Sequence, residues 1–176
     1  MAQQEHDQSL PQCQSRRSFL LAGATTLLIS AIPGMAAAVT LKSKAFERKA
    51  IAKLSELKSG EPIEFQYPFD DPQSSNMLVM LGTQAGGGVG KQKDIVAFNH
   101  FCTHMGGPLH GTYKHEYKVA GPCPMHLTTF DLTRHGMVVA GHATESLPQI
   151  MLEIQGDQIY AVGIMGLVYG RHSNHA

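Results

Sequence analysis

Two short segments each place a thiol beside an imidazole: Cys102-Thr103-His104-Met105-Gly106-Gly107-Pro108 and Cys123-Pro124-Met125-His126-Leu127-Thr128. Residues 105–122 separate the two pairs. A [2Fe–2S] cluster with two cysteines on one iron and two histidines on the other needs this division, because each loop must then reach both irons. Neutral imidazoles in place of two thiolates leave the cluster less negative and raise its potential, to between about −150 and +300 mV. Structural zinc is the competing ligand chemistry. Zinc sites usually group like ligands, C-x2-C and then H-x3–5-H, on a hairpin and a helix. Mixed pairs bounded by Gly and Pro fit that pattern poorly. A nucleophilic Cys–His pair would not need the arrangement twice.

The elements that hold these residues read as β structure. Gly106-Gly107-Pro108, Pro122 and Pro124 make the two loops compact and stiff, and glycine lets backbone N–H groups come close to sulfur. Ile63, Phe65 and Tyr67 alternate as a half-buried strand does. Residues 77–81, 95–98, 117–120, 137–140, 150–154 and 158–163 are further strand candidates. Ser59-Gly60, Asp70-Asp71-Pro72, residues 86–90, His135-Gly136 and Gly156-Asp157 punctuate them as turns. Residues 50–57 suit either a strand or a short helical turn. Many short strands with such punctuation predict an antiparallel sandwich or small barrel. Gly86-Gly87-Gly88-Val89-Gly90-Lys91 imitates a phosphate loop, but Ala85 stands where the first glycine is required and Gln92 where Ser or Thr would bind magnesium. A hairpin loop is the better reading.

Among 176 residues, 43% are hydrophobic and 16% charged, a globular composition. Fourteen basic residues balance fourteen acidic ones, so nothing favours nucleic acid or an anionic membrane as partner. Three cysteines are too few for a disulfide scaffold, and one of them, Cys13, lies in an N-terminal segment with its own character. Ser15-Arg16-Arg17-Ser18-Phe19-Leu20-Leu21 is a twin-arginine pair opening an uncharged run that ends at Ile32. Pro33-Gly34 breaks the run and Ala36-Ala37-Ala38 offers a small-residue cleavage site. The run is shorter than the roughly 20 residues that span a bilayer. Residues 1–38 therefore read as an export signal cut before Val39, a retained anchor being the alternative. A route for folded cargo suits a protein whose metal cluster is inserted before export.

At its two loops the chain resembles the Rieske family and, more narrowly, the small subunit of arsenite oxidase. The narrower resemblance rests on the twin-arginine segment, both loops through Asp131 and the run Ala143-Thr144-Glu145-Ser146-Leu147-Pro148-Gln149. It implies an all-β Rieske-type antiparallel sandwich or barrel over residues 39–176, with a small cluster-binding subdomain at about 99–142. It implies one [2Fe–2S] cluster per chain, with Cys102, His104, Cys123 and His126 as ligands. The partners implied are a large subunit carrying molybdopterin and a [3Fe–4S] cluster, and a soluble cytochrome c or cupredoxin as acceptor. The substrate chemistry would occur on the large subunit, so no catalytic residue is expected here. The location implied is the periplasm, without membrane association once the signal is cut.

Cytochrome bc-type members of the family carry an extra cysteine in each loop, and the two form a clasp. Gly107 and Met125 occupy those places here. Those members also use a Ser and a Tyr to donate hydrogen bonds to cluster sulfur, where this chain has Thr128 and Phe130. Thr keeps a hydroxyl and Phe lacks one, which predicts a potential below that of the bc-type proteins. A quinol-oxidising bc-type subunit and an oxygenase ferredoxin are the rival functions; the missing clasp opposes the first and the export signal the second. His100, His110, His115, His172 and His175 lack a paired cysteine and are expected in surface or hydrogen-bonded roles, the last two on a mobile tail.

Overall fold

Apolar runs too continuous to show alternation, such as Met77-Leu78-Val79 and Ile95-Val96-Ala97-Phe98, belong to strands buried on both faces. The computed structural model describes residues 46–175; the export signal and Cys13 lie outside them. Ten strands follow in order: β1 (Lys49–Lys53), β2 (Ile63–Gln66), β3 (Ser75–Met80), β4 (Ile95–Asn99), β5 (Tyr113–Lys114), β6 (Val119–Ala120), β7 (Thr129–Asp131), β8 (Met137–Ala140), β9 (Gln149–Gln155) and β10 (Gln158–Met165). They form a six-stranded sheet in the order β1-β10-β9-β4-β3-β2 and a four-stranded sheet β5-β6-β7-β8. All pairings between these strands are antiparallel. The expected all-β fold is what the chain adopts.

Period two splits the central strands between two cores. Met77, Val79, Val96 and Phe98 face one side and pack with Leu109, Phe130, Leu132 and both cluster-loop cysteines. Leu78, Ile95 and Ala97 face the other side and pack with Ile150, Leu152 and Ile159. The first core therefore fixes the cluster loops directly to the middle of the large sheet.

Residues 50–57 contain both forms left open by the sequence. β1 is followed by a 3-10 turn at Leu54–Glu56. That turn is pinned to the β9–β10 hairpin, where Asp157 accepts from Ser55 N–H at 2.9 Å and from its hydroxyl at 2.7 Å. The strand expected at 117–120 shrinks to Val119 and Ala120, because Lys118 turns the chain with φ of 56°. β7 escaped the sequence reading altogether, being three residues long and directly behind a ligand loop. Among the described residues no helix is long and apolar enough to cross a membrane.

Candidate metal centre

The two Cys–His loops are built on one backbone pattern. Cys102 N–H donates to the Gly107 carbonyl at 2.9 Å while its own carbonyl accepts from Gly106 N–H at 2.8 Å. Cys123 N–H likewise donates to Thr128 at 2.8 Å, and its carbonyl accepts from Leu127 N–H at 2.9 Å. The residue four places after each cysteine must be left-handed, with φ of 69° at Gly106 and 63° at Leu127. Glycine takes that conformation freely; leucine takes it at a cost of roughly 1–2 kcal/mol. The second loop thus stores backbone strain where the first does not.

This pattern brings the four predicted ligands to one place. Cys102 and Cys123 are each 1% exposed and lie in the same core cluster. The His104 and His126 rings meet edge to face with centroids 4.7 Å apart. His126 is exposed and His104 half-buried, so one imidazole edge reaches the surface. Burial pushes the Cys102 thiol up from its ordinary value; the His104 backbone N–H works against this, and the neighbouring Cys123 adds to the rise. A thiol held protonated in this way becomes a thiolate ligand when a bound cation supplies the compensating charge. Burial, then His126 and His142, lower the His104 imidazole, favouring the neutral ring that can ligate. His104 Nδ1 is buried without a protein hydrogen-bond partner. Two buried thiols and an inward-facing imidazole nitrogen without a bond to protein fit a cluster of S2N2 ligation.

The four residues flagged for tuning line the same loops. A Cβ added at Gly107 would sit 2.5 Å from Cys123 Sγ and 3.0 Å from Met125 Sδ. Thr128 is fully buried, its hydroxyl works against the rise of the Cys102 thiol, and it accepts from His142 N–H at 3.2 Å. Phe130 is fully buried in the core cluster that contains both cysteines. Three further contacts have no local sequence signal. Gly141 lies so close to Thr128 that a side chain there would collide with its backbone, Tyr169 covers Gly106, and the His142 ring lies 5.7 Å from that of His104. Thr103 Oγ donates to the Glu145 carbonyl at 2.7 Å, which ties the first loop to the 143–149 run.

Two expectations about the other histidines are corrected. His100 is neither surface nor hydrogen-bonded: it is 2% exposed and neither ring nitrogen has a protein hydrogen-bond partner. Burial, with His110 beside it, pushes its pKa down to about 4. The tail is anchored by packing, with His175 stacked on Phe46 at 4.1 Å and Arg171 paired to Asp71 at 2.6 Å. Residues 86–90 form a loop closed by Gly88 N–H on the Ala85 carbonyl at 3.1 Å, with Val89 bridged to Ile95, as the hairpin reading requires.

Comparison with known proteins shows the family. Residues 47–151 match the Rieske [2Fe-2S] domain. The chain is 62% identical over 165 residues to iodate reductase subunit IdrB of Denitromonas iodatirespirans, covering 93% of this chain and 88% of that one. It is 60% identical over 169 residues to the IdrB of Pseudomonas sp. (strain SCT), covering 94% and 86%. Among solved structures, the soluble domain of Rieske protein II (soxF) from Sulfolobus acidocaldarius superposes with a TM-score of 0.63 at 22% identity, over 72% of this chain and 82% of that one, which speaks to the fold alone.

Proposed function

The chain belongs to the Rieske [2Fe–2S] family and carries one such cluster, and from that premise we propose that it is the electron-transfer subunit of an oxidoreductase of the iodate reductase type, with Cys102, His104, Cys123 and His126 as the cluster ligands. The carrying observation for the site is the convergence of two buried thiols and the His104–His126 pair on two loops of the same backbone pattern. For the partner it is identity above 60% to an iodate reductase subunit over 88% of that subunit's length. When bound, the cluster supplies one-electron exchange at a potential set by its ligands. The polypeptide holds the ligands, keeps Cys102 and Cys123 away from water and presents the His126 edge for close approach by a redox partner.

On this reading a larger catalytic subunit reduces the substrate, and the chain feeds it electrons. The arsenite oxidase resemblance of the loops and of residues 143–149 supports a molybdopterin cofactor in that subunit and also supplies the second reading, in which electrons flow outward from arsenite to a cytochrome c or cupredoxin. The long match to the iodate reductase subunits favours the inward direction. The Arg16-Arg17 signal supports export by the twin-arginine route to the periplasm.

The two directions separate in one experiment on the purified native complex. Reduced cluster mixed anaerobically with iodate is expected to reoxidise at the rate of turnover. Arsenite is expected to leave oxidised cluster unchanged. Reduction by arsenite, with no response to iodate, would replace the first reading by the second.

A further inference from the structure

A cleft of about 350 Å³ opens between the large sheet and the start of the four-stranded sheet, bounded by Glu64, His100, Leu109, Tyr113 and His115. His100 faces it from just after β4, almost fully buried, with both ring nitrogens lacking a protein hydrogen-bond partner. An imidazole buried in that way loses its bonds to water and gains nothing in exchange. Glu64, on β2, places Oε1 3.8 Å from His100 Nε2, beyond hydrogen-bond reach. His110 closes the other side, its ring stacked on that of His100 at 3.8 Å and 14°, with Nε2 3.0 Å from Ser75 Oγ. The pairing of β2 with β3 and of β3 with β4 brings Glu64 and His100 together. The first cluster loop returns His110 to the same spot. One donor atom from each of the three residues lies within 4.8 Å of the others.

We propose that Glu64, His100 and His110 form a second metal site, separate from the cluster ligands, for a divalent transition ion of the zinc type. Two imidazoles and one carboxylate are a borderline-soft set suited to zinc, and an oxygen-seeking ion such as magnesium or calcium would not select it. Donors on one tetrahedral zinc ion at about 2.1 Å lie roughly 3.4 Å apart, so the three, now within 4.8 Å of one another, must close by up to about 1.4 Å. Glu64 and His110 are exposed and can move, while the buried His100 stays fixed. His110 turns out of the stack so that its lone pair converges with that of His100. The fourth position then faces the cleft. The site does not depend on which oxyanion the complex uses.

Equilibrium dialysis of the cluster-loaded full chain against zinc ions alone, with zinc and iron counted per chain, tests the proposal. One zinc per chain is expected beyond the iron of the cluster, with two imidazole nitrogens in its X-ray absorption spectrum. Glu64→Gln and His110→Ala both alter exposed side chains, so the cluster absorption reports that the fold is intact. Each is expected to weaken zinc binding at least about tenfold, while His172→Ala leaves it unchanged. Absence of zinc uptake at tens of micromolar, or equal binding by wild type, Glu64→Gln and His110→Ala, would overturn the assignment.

Discussion

Met125 stands against the face of Gly107 where a side chain would have to go: a Cβ at 107 would lie 3.0 Å from Met125 Sδ. By the resemblance of the loops these are the places of the bc-type clasp cysteines, and here a thioether packed on a bare backbone joins the loops. Cys102 and Cys123 are both free thiols in the structure. Packing, and the paired backbone bonds around each cysteine, do what a disulfide does elsewhere.

Gly107→Ala is therefore expected to damage the centre even though alanine is small. Its methyl carbon would sit 2.5 Å from Cys123 Sγ, so the ligand itself must move. Overpacking of this kind costs about 1–3 kcal/mol. Iron content and thermal melting of the purified variant check it; full iron occupancy with an unchanged melting temperature would refute the packing account.

Phe130→Tyr adds a hydroxyl in the core that holds both cysteines. A hydrogen bond to a ligand thiolate favours the reduced cluster by roughly 1.5–3 kcal/mol when fully formed, and about 1.4 kcal/mol corresponds to 59 mV for one electron. A rise of at least about 60 mV is expected by redox titration. Thr128→Val removes the hydroxyl that favours the Cys102 thiolate and is expected to shift the potential downward by a similar amount. Unchanged potentials in both variants would remove sulfur hydrogen bonding as the cause.

Leu127→Gly tests the strain in the second loop. At an ordinary position the exchange costs about 0.5–1 kcal/mol through backbone entropy. At φ of 63° it also relieves roughly 1–2 kcal/mol of left-handed strain. Urea unfolding is expected to show a variant at least as stable as wild type, with its cluster intact. A loss of stability of the ordinary glycine size would show that Leu127 is not strained.

The Asp71–Arg171 pair gives a pH signature. Burial tends to raise the Asp71 carboxyl, but bonds from Arg171 and Ser74 outweigh it and hold the group below its ordinary value of 3.8. A depressed carboxylate contributes stability that is fully present above its unfolded value and is lost as pH falls through the folded one. Wild type is thus expected to melt higher than Asp71→Asn at neutral pH, with the difference shrinking once pH falls below 3.8 and lost only below the lowered folded value. A difference that persists unchanged into that acid range would contradict the pairing.

The four candidate ligands were legible in the sequence because a cluster of this kind writes itself locally, as one thiol and one imidazole per loop. The strands buried on both faces were legible as apolar runs, although which residue joins which core became visible only once β3 and β4 were paired. The remainder depends on contacts distant in sequence. His100 looks like any histidine until β2 brings Glu64 beside it and the loop returns His110. Gly141 looks like a turn residue until its contact with Thr128 is seen, and the sequence of the second loop gives no sign that Leu127 is left-handed. The substrate was legible only as a resemblance to arsenite oxidase, whereas the similarity along nearly the whole chain is to iodate reductase subunits.

The assignment of the cluster to Cys102, His104, Cys123 and His126 is tested most directly by pulsed electron paramagnetic resonance of the reduced protein labelled with 15N-histidine. Two iron atoms per chain and two distinct histidine nitrogen couplings are predicted, one of which disappears in His104→Cys and the other in His126→Cys. A spectrum without histidine nitrogen coupling, or a chain that binds zinc in place of iron at these four residues, would contradict it.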